Sequence, residues 1–298
     1  SMKKVRRPDR HPGRTLVTAI PFVWLALFFL APFVIIMLIS LSTQRFGIPP
    51  YEPLIADGEI LAKLDNYAFL IDDPLYLNAL ISSLRIAALS AAIALLVGYP
   101  IALAIARSPR RHRPLLLLAV ALPFWTSFLI RVYAWMGILR NEGLVNGALM
   151  GLGIIDTPLP MMQSAFAVHL GIVYSYLPFM VLPLYASLER QDESLLEAAA
   201  DLGATPWRAF WTVTFPLSLP GVLAGFLLVF IPAVGEFVIP ELLGDSGTLM
   251  IGKVLWTEFF NNRDWPLAAA LAVMVLSLIV APLAWLEHIR LKREEART

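Results

Sequence analysis

At 298 residues, with 58% hydrophobic and 15% charged residues and a mean hydropathy of +0.72, the chain lies outside the range of water-soluble domains. It has no cysteine, which excludes disulfides, thiolate metal sites and cysteine nucleophiles. A net charge of +1 says little by itself, so the placement of the charges carries the information.

In chain order, residues 1–15 form a basic tail with Lys3, Lys4, Arg6, Arg7, Arg10 and Arg14. An apolar run over residues 16–41 follows, long enough to cross a hydrocarbon core of ~30 Å. A secretory leader has a shorter apolar stretch, about 7–15 residues, and a small-residue cleavage site. The run is therefore expected to be a retained first span. The loop after it, residues 43–76, sets Glu52, Asp57, Glu59, Asp65, Asp72 and Asp73 against only Arg45 and Lys63. Span and loop make a first region, 16–76.

A core of five spans is expected over residues 77–287. The second span covers 77–106, weakened at Gly98-Tyr99-Pro100, and an arginine-rich turn leads to the third at 115–139. Residues 140–163, rich in Gly, Asn and Pro, read as a loop with a short interfacial helix. The fourth span, 165–188, contains Pro178 and Pro183, and the fifth, 222–243, is broken by Pro232, Gly235 and Pro240. The sixth covers 265–286, and residues 288–298 form a second basic tail.

Between the fourth and fifth spans lies a polar stretch, residues 190–216, that reads as two short helices joined by a turn. Asp192 suits an N-cap, and Leu195, Ala199 and Leu202 share a face. Gly203 stops the first helix in a left-handed position, and Thr205 caps a second with Pro206 in its first turn. Such a knuckle suits docking into a partner's groove.

Six spans place both termini on one side. The two tails, the arginine-rich turn and the knuckle hold sixteen Lys/Arg, against five in the opposite loops. Positive residues favour the cytoplasm, so both termini and the knuckle are expected there.

Arg85, Arg131, His169, Glu236 and Glu241 are ionisable residues inside spans, where a lipid-facing charge costs at least ~2.5–3.5 kcal/mol. They should face the bundle or a water-filled path. Counted at 1.5 Å per residue, Arg131 and Glu236 each lie ~24 Å from the cytoplasmic end of the third and fifth spans and can meet in the outer half, either as a structural ion pair or on a pathway. Glu241 and Asp245 lie further out, where a cation would arrive first. Trp125, Tyr133, Trp135 and Tyr174 offer aromatic faces to ammonium groups, although such residues also populate membrane cores and interfaces. His169 reads as a hydrogen-bonded core residue.

Gly247 to Val254 nearly spells a phosphate-binding loop, but Val254 stands where a magnesium-binding hydroxyl is needed and no strand precedes it. Any ATPase is therefore expected on another chain. Gly221 and Gly225 form a small-xxx-small pair suited to close helix packing.

Glu197-Ala198-Ala199, three residues, Gly203, nine residues and Val213-Thr214-Phe215-Pro216 resemble the EAA loop of ABC-importer permeases, with Val213 and Phe215 where Ile and Leu are usual. Residues 123–135, 230–244 and 258–266 are similar to polyamine-importer permeases, most to the putrescine PotH type and more distantly to the spermidine PotB type. The resemblance implies an all-α type I permease of the bacterial inner membrane that is not itself an enzyme. It would form half the pathway, with Glu236, Glu241, Arg131, Trp125 and Tyr174 as candidate lining residues. Glu197, Ala198, Ala199 and Gly203 would couple it to ATP hydrolysis. Implied partners are a second permease, two ATPase subunits carrying ATP and magnesium, a periplasmic polyamine-binding protein and membrane lipid. No cofactor, metal or nucleic acid is expected on this chain. A type I permease for another solute and a secondary transporter remain as alternatives.

Overall fold

The structure, a computed structural model, describes residues 12–56, 59–245 and 247–295. The chain divides into two units, one comprising the residues through Asp72 and from Thr257 onward, the other Asp73–Trp256.

In the first unit, α1 (Pro12–Leu25), a π-helical turn (Ala26–Leu30) and α2 (Ala31–Ser40) form one apolar rod, whose stretch Ala19–Ser40 is long enough to cross a membrane. The expected acidic loop carries local structure. Strands β1 (Ile55–Ala56) and β2 (Glu59–Ile60) pair antiparallel, a small exception to the all-helical expectation, and α3 (Asp65–Asp72) follows. The Asn66 amide donates to the carbonyls of Ser40 and Ser42, both at 2.9 Å, and the Tyr67 hydroxyl meets Ser40 Oγ at 2.7 Å. The two Asn66 bonds fill carbonyls that the end of α2 leaves open.

The second unit opens with α4 (Pro74–Arg107), started by Asp73, whose carboxylate accepts from the Leu75 N–H at 2.9 Å. The third expected span is not straight. α5 (Arg113–Ala121) runs into a tight turn (Leu122–Trp125), then come α6 (Phe128–Leu139) and α7 (Leu144–Gly151), and the segment Phe128–Gly151 leaves Arg113–Trp125 at 88°. Pro123 has no N–H to give, and Thr126 and Ser127 are extended, so the helix ends there. Asn146 of α7 is fully buried, bonded to the carbonyls of Arg140 and Leu159 and to the Leu159 N–H.

Next come α8 (Ala165–Leu188), α9 (Ser194–Asp201), α10 (Pro206–Ala209), a π-helical turn (Phe210–Thr214) and α11 (Phe215–Val234). The fifth span therefore begins earlier than expected: Pro206–Val234 is one continuous rod with the second half of the knuckle. It ends at the expected break, and α12 (Val238–Leu243) and α13 (Ile251–Trp256) follow. α14 (Trp265–Glu295) belongs to the first unit and packs on α2. Among the described residues, five helices are long and apolar enough to span, and a sixth results when the bent pair Arg113–Trp125 and Phe128–Gly151 is counted as one.

The core of the second unit is α4, α8 and α11. On α4, Ala87, Ala91, Ala94, Gly98 and Ala102 are buried at helical spacing, which lets backbones approach. A Cβ on Gly221 would lie 2.5 Å from Ser187 Cβ and 2.8 Å from the Pro183 carbonyl oxygen, and one on Gly225 2.8 Å from Met180 Sδ. The small-xxx-small pair is thus where α11 meets α8. Two polar cross-links add register: Ser90 Oγ with His169 Nδ1 at 2.8 Å, and the Tyr99 hydroxyl with Ser218 Oγ at 2.8 Å. Each is worth about 0.6 kcal/mol in a membrane.

Candidate translocation path and coupling element

The knuckle has the expected form. The Asp192 carboxylate accepts from the Ser194 N–H at 3.0 Å, α9 ends before Gly203 at φ +80°, and Thr205 accepts from the Arg208 N–H at 3.4 Å. The bond to the Ser194 backbone holds the Asp192 carboxyl below its usual range. Glu197 and Ala198 are exposed, as is Gly203, and a Cβ on Gly203 would meet no atom within 4 Å. Leu202 is 89% and Trp207 71% exposed, so the tip presents apolar side chains that this chain leaves uncovered. Behind the tip, Arg113 of α5 bridges to Glu189 at 3.2 Å. The Tyr185 hydroxyl and then Arg113 hold the Glu189 carboxyl below its usual range.

At the other end of α11 the chain turns at Gly235, and Glu236 caps α12. Its Oε1 accepts from the N–H groups of Phe237, Val238 and Ile239 at 3.2, 3.1 and 3.5 Å. Its Oε2 accepts from the Tyr176 hydroxyl of α8 at 2.5 Å. This carboxylate is 7% exposed and well supplied with donors.

Arg131 is not its ion-pair partner. The bend between α5 and α6 invalidates the straight-helix depth count, and the guanidinium instead lies over Phe124 and Phe128, at 5.1 and 5.7 Å from the ring centroids. Arg131 is 8% exposed, and its Nε and Nη1 have no hydrogen-bond partner. The aromatics do not form one wall. Trp125 is 75% exposed in the tight turn, while Tyr174 packs edge-on against Trp135 at 5.4 Å.

Glu241 is paired with Lys253, the ammonium 2.8 Å from Oε2 and both side chains partly exposed. Lys253 belongs to the pseudo-phosphate loop, which is helical from Ile251 on; a Cβ on Gly252 would lie 2.4 Å from the Gly235 carbonyl oxygen. The segment is thus packed against the Glu236 turn, and Ser83 of α4 accepts from the Ile251 N–H at 2.7 Å. Asp245 takes the Thr248 hydroxyl. Arg85 is exposed on α4 rather than turned into the bundle of this chain. Sequence reasoning missed Tyr176 and the pairing of Lys253. The first is signalled only by a hydroxyl in an apolar span, and the second is masked by the false motif.

Residues 14–292 match the family described as binding-protein-dependent transport system inner membrane component. The chain is 42% identical over 250 residues to the spermidine/putrescine transport system permease protein PotB of Escherichia coli K12, covering 84% of this chain and 88% of that protein. It is 40% identical over 258 residues to PotB of Haemophilus influenzae, covering 87% of each. In fold it is similar to a chain of the bacterial alginate ABC transporter crystallised with an alginate pentasaccharide-bound periplasmic protein. There the TM-score is 0.68 at 17% identity, over 94% of this chain and 96% of that one. The match takes in every span and the knuckle between them, and the chain belongs to the family of inner membrane components of binding-protein-dependent transport systems.

Proposed function

We propose that this chain is one permease of an ATP-driven importer of linear polyamines, putrescine or spermidine, and that cargo passes along α12. The observation that carries the reading is the Lys253–Glu241 pair: an alkylammonium already rests 2.8 Å from a half-exposed carboxylate. The names of the PotB relatives support the same cargo. Glu241 is the outer step, where an incoming ammonium competes with Lys253. Glu236 is the inner step, reached when the Tyr176 hydroxyl yields, since either a hydroxyl or an ammonium can satisfy a buried carboxylate. Trp125 and Tyr174 serve as flanking aromatic surface. A displaceable site suits transport, because the solute has to leave again.

The chain has no catalytic role in this scheme. ATP and magnesium belong to two ATPase subunits that grip the knuckle at Glu197, Ala198, Ala199 and Gly203 from the cytoplasm, where both termini also lie. Closure of the ATPase dimer moves the knuckle, and α11 moves with it as one rod. A second permease completes the pathway and supplies the neighbour that Arg85 needs, and a periplasmic binding protein delivers the cargo. One observation favours a different solute: the unpartnered Nε and Nη1 of Arg131 suit an anionic group. Uptake of labelled putrescine in cells that carry only this importer, with spermidine, spermine and an anionic aminoalkyl phosphonate as competitors, separates the two. Competition by the amines supports the proposal, and competition by the phosphonate alone overturns it.

A further inference from the structure

One face of α4 is buried, with Ala79, Ser83, Ala87, Ser90, Ala91 and Ala94, and the helix packs on α8 and α11. The opposite face has a different character. Leu77, Ile81, Leu89 and Leu96 are 51%, 38%, 52% and 74% exposed, and Arg85 is exposed among them. At 3.6 residues per turn these five fall on one stripe. Arg85 lies about 16 Å along the helix from Pro74, inside a span and with apolar neighbours on both sides. Among the described residues it has no hydrogen-bond or ion-pair partner. A guanidinium left against hydrocarbon is costly, so such residues sit where a counter-charge or water meets them.

A second copy of this chain has no free carboxylate to offer there. The five long spans contain neither Asp nor Glu. In the bent pair the acidic residue is Glu142, in the turn between α6 and α7. In α12, Glu236 is held by Tyr176 and three backbone N–H groups, and Glu241 by Lys253. Two copies meeting through this stripe would also set one guanidinium against another. We propose that Arg85 pairs with an Asp or Glu inside a span of a second, non-identical permease, and that this pair is what makes the assembly one of two different chains. The inference rests on the two-permease reading above and on nothing about cargo. The apolar residues of the stripe shield the pair, a setting in which removing one partner is severe.

The test uses the complete transporter, co-expressed with two differently tagged forms of this chain. Purification through one tag should bring down the second permease and not the other tag. Arg85→Glu should lower recovery of the second permease on the order of ten-fold, while Arg85→Lys keeps most of it. Changes in the second permease that restore assembly to Arg85→Glu should convert an acidic residue of one of its spans to Lys or Arg. Leu89→Cys, in a chain without cysteine, keeps Arg85 and carries a photoreactive maleimide beside it, so the contact is read without disturbing the fold. Its crosslinks should join an acidic-residue-containing span of the second permease. Full recovery of the second permease with Arg85→Glu overturns the inference, and recovery with loss of uptake assigns Arg85 to the pathway instead. Crosslinks from Leu89→Cys that reach only lipid overturn it as well. Each of those results leaves the two-permease reading standing, whereas a transporter that holds two copies of this chain and no second permease defeats both.

Discussion

The Tyr176 hydroxyl of α8 donates a 2.5 Å hydrogen bond to Glu236, so the buried carboxylate at the head of α12 is held by a phenol and three backbone N–H groups. Arg131 makes no ion pair with it, and its guanidinium lies over the Phe124 and Phe128 rings. The element that turns out of α11 is thereby tied to α8, and any cargo reaching Glu236 has to displace that hydroxyl.

Tyr176→Phe removes the hydroxyl that donates to Glu236 and should destabilise the protein by about 1–3 kcal/mol, read as a lower thermal midpoint. Glu236→Gln should assemble with the ATPase and lose uptake. Because Arg131 makes no ion pair with Glu236, adding Arg131→Gln should make matters no better. Recovery of stability in the double variant would show that the two side chains compensate each other after all.

Gly203 has φ +80° and open space around its missing Cβ. Gly203→Asp therefore strains the turn by about 1–2 kcal/mol without a clash inside this chain. The variant should insert normally but fail to couple ATP turnover to uptake. Trp207→Ala, which trims the exposed tip, should weaken co-purification of the ATPase. Normal coupling in the first variant and normal co-purification in the second would remove the knuckle from the mechanism.

Glu189 has a depressed carboxyl, so its contribution to stability is complete above the ordinary glutamate pKa of about 4.3 and is lost as pH falls through its lower folded value. The Glu189 contribution to thermal stability should be constant above that ordinary value and decline below it, so that the acid-side decline is shallower in Glu189→Gln. A midpoint that falls equally in both proteins would assign the acid limb to other groups.

Gly221→Leu drives a side chain into Ser187 and the Pro183 carbonyl, and should separate α11 from α8 with loss of folded protein on size-exclusion chromatography. Gly137→Ala is the matched control, since a Cβ there meets nothing within 4 Å. Equal yields from the two variants would contradict the close packing of α8 and α11.

Much of this was legible in the sequence, because the signals were local. Gly203, Thr205 and Pro206 each have one low-cost backbone role, and they fix the knuckle. The proline and glycine after Phe230 mark the break before α12. The 88° bend was missed because Pro123 lies in an apolar run, where hydropathy counts it as span and says nothing of direction. The Arg131–Glu236 pairing failed with it, since rise per residue measures depth only along a straight helix. Tyr176 and Lys253 were missed because their partners are 60 and 12 residues away, at distances set by helix packing rather than spacing.

The most direct test of the central claim, that polyamine passes along α12 of this chain, is photolabelling of the complete transporter during ATP turnover with a diamine that carries a small photoreactive group. The label should fall on the peptide spanning residues 236–256, should need both ATP and the binding protein, and should disappear with excess spermidine or in Glu241→Gln. Labelling that falls only on the second permease, or that Glu241→Gln leaves unchanged, would contradict it.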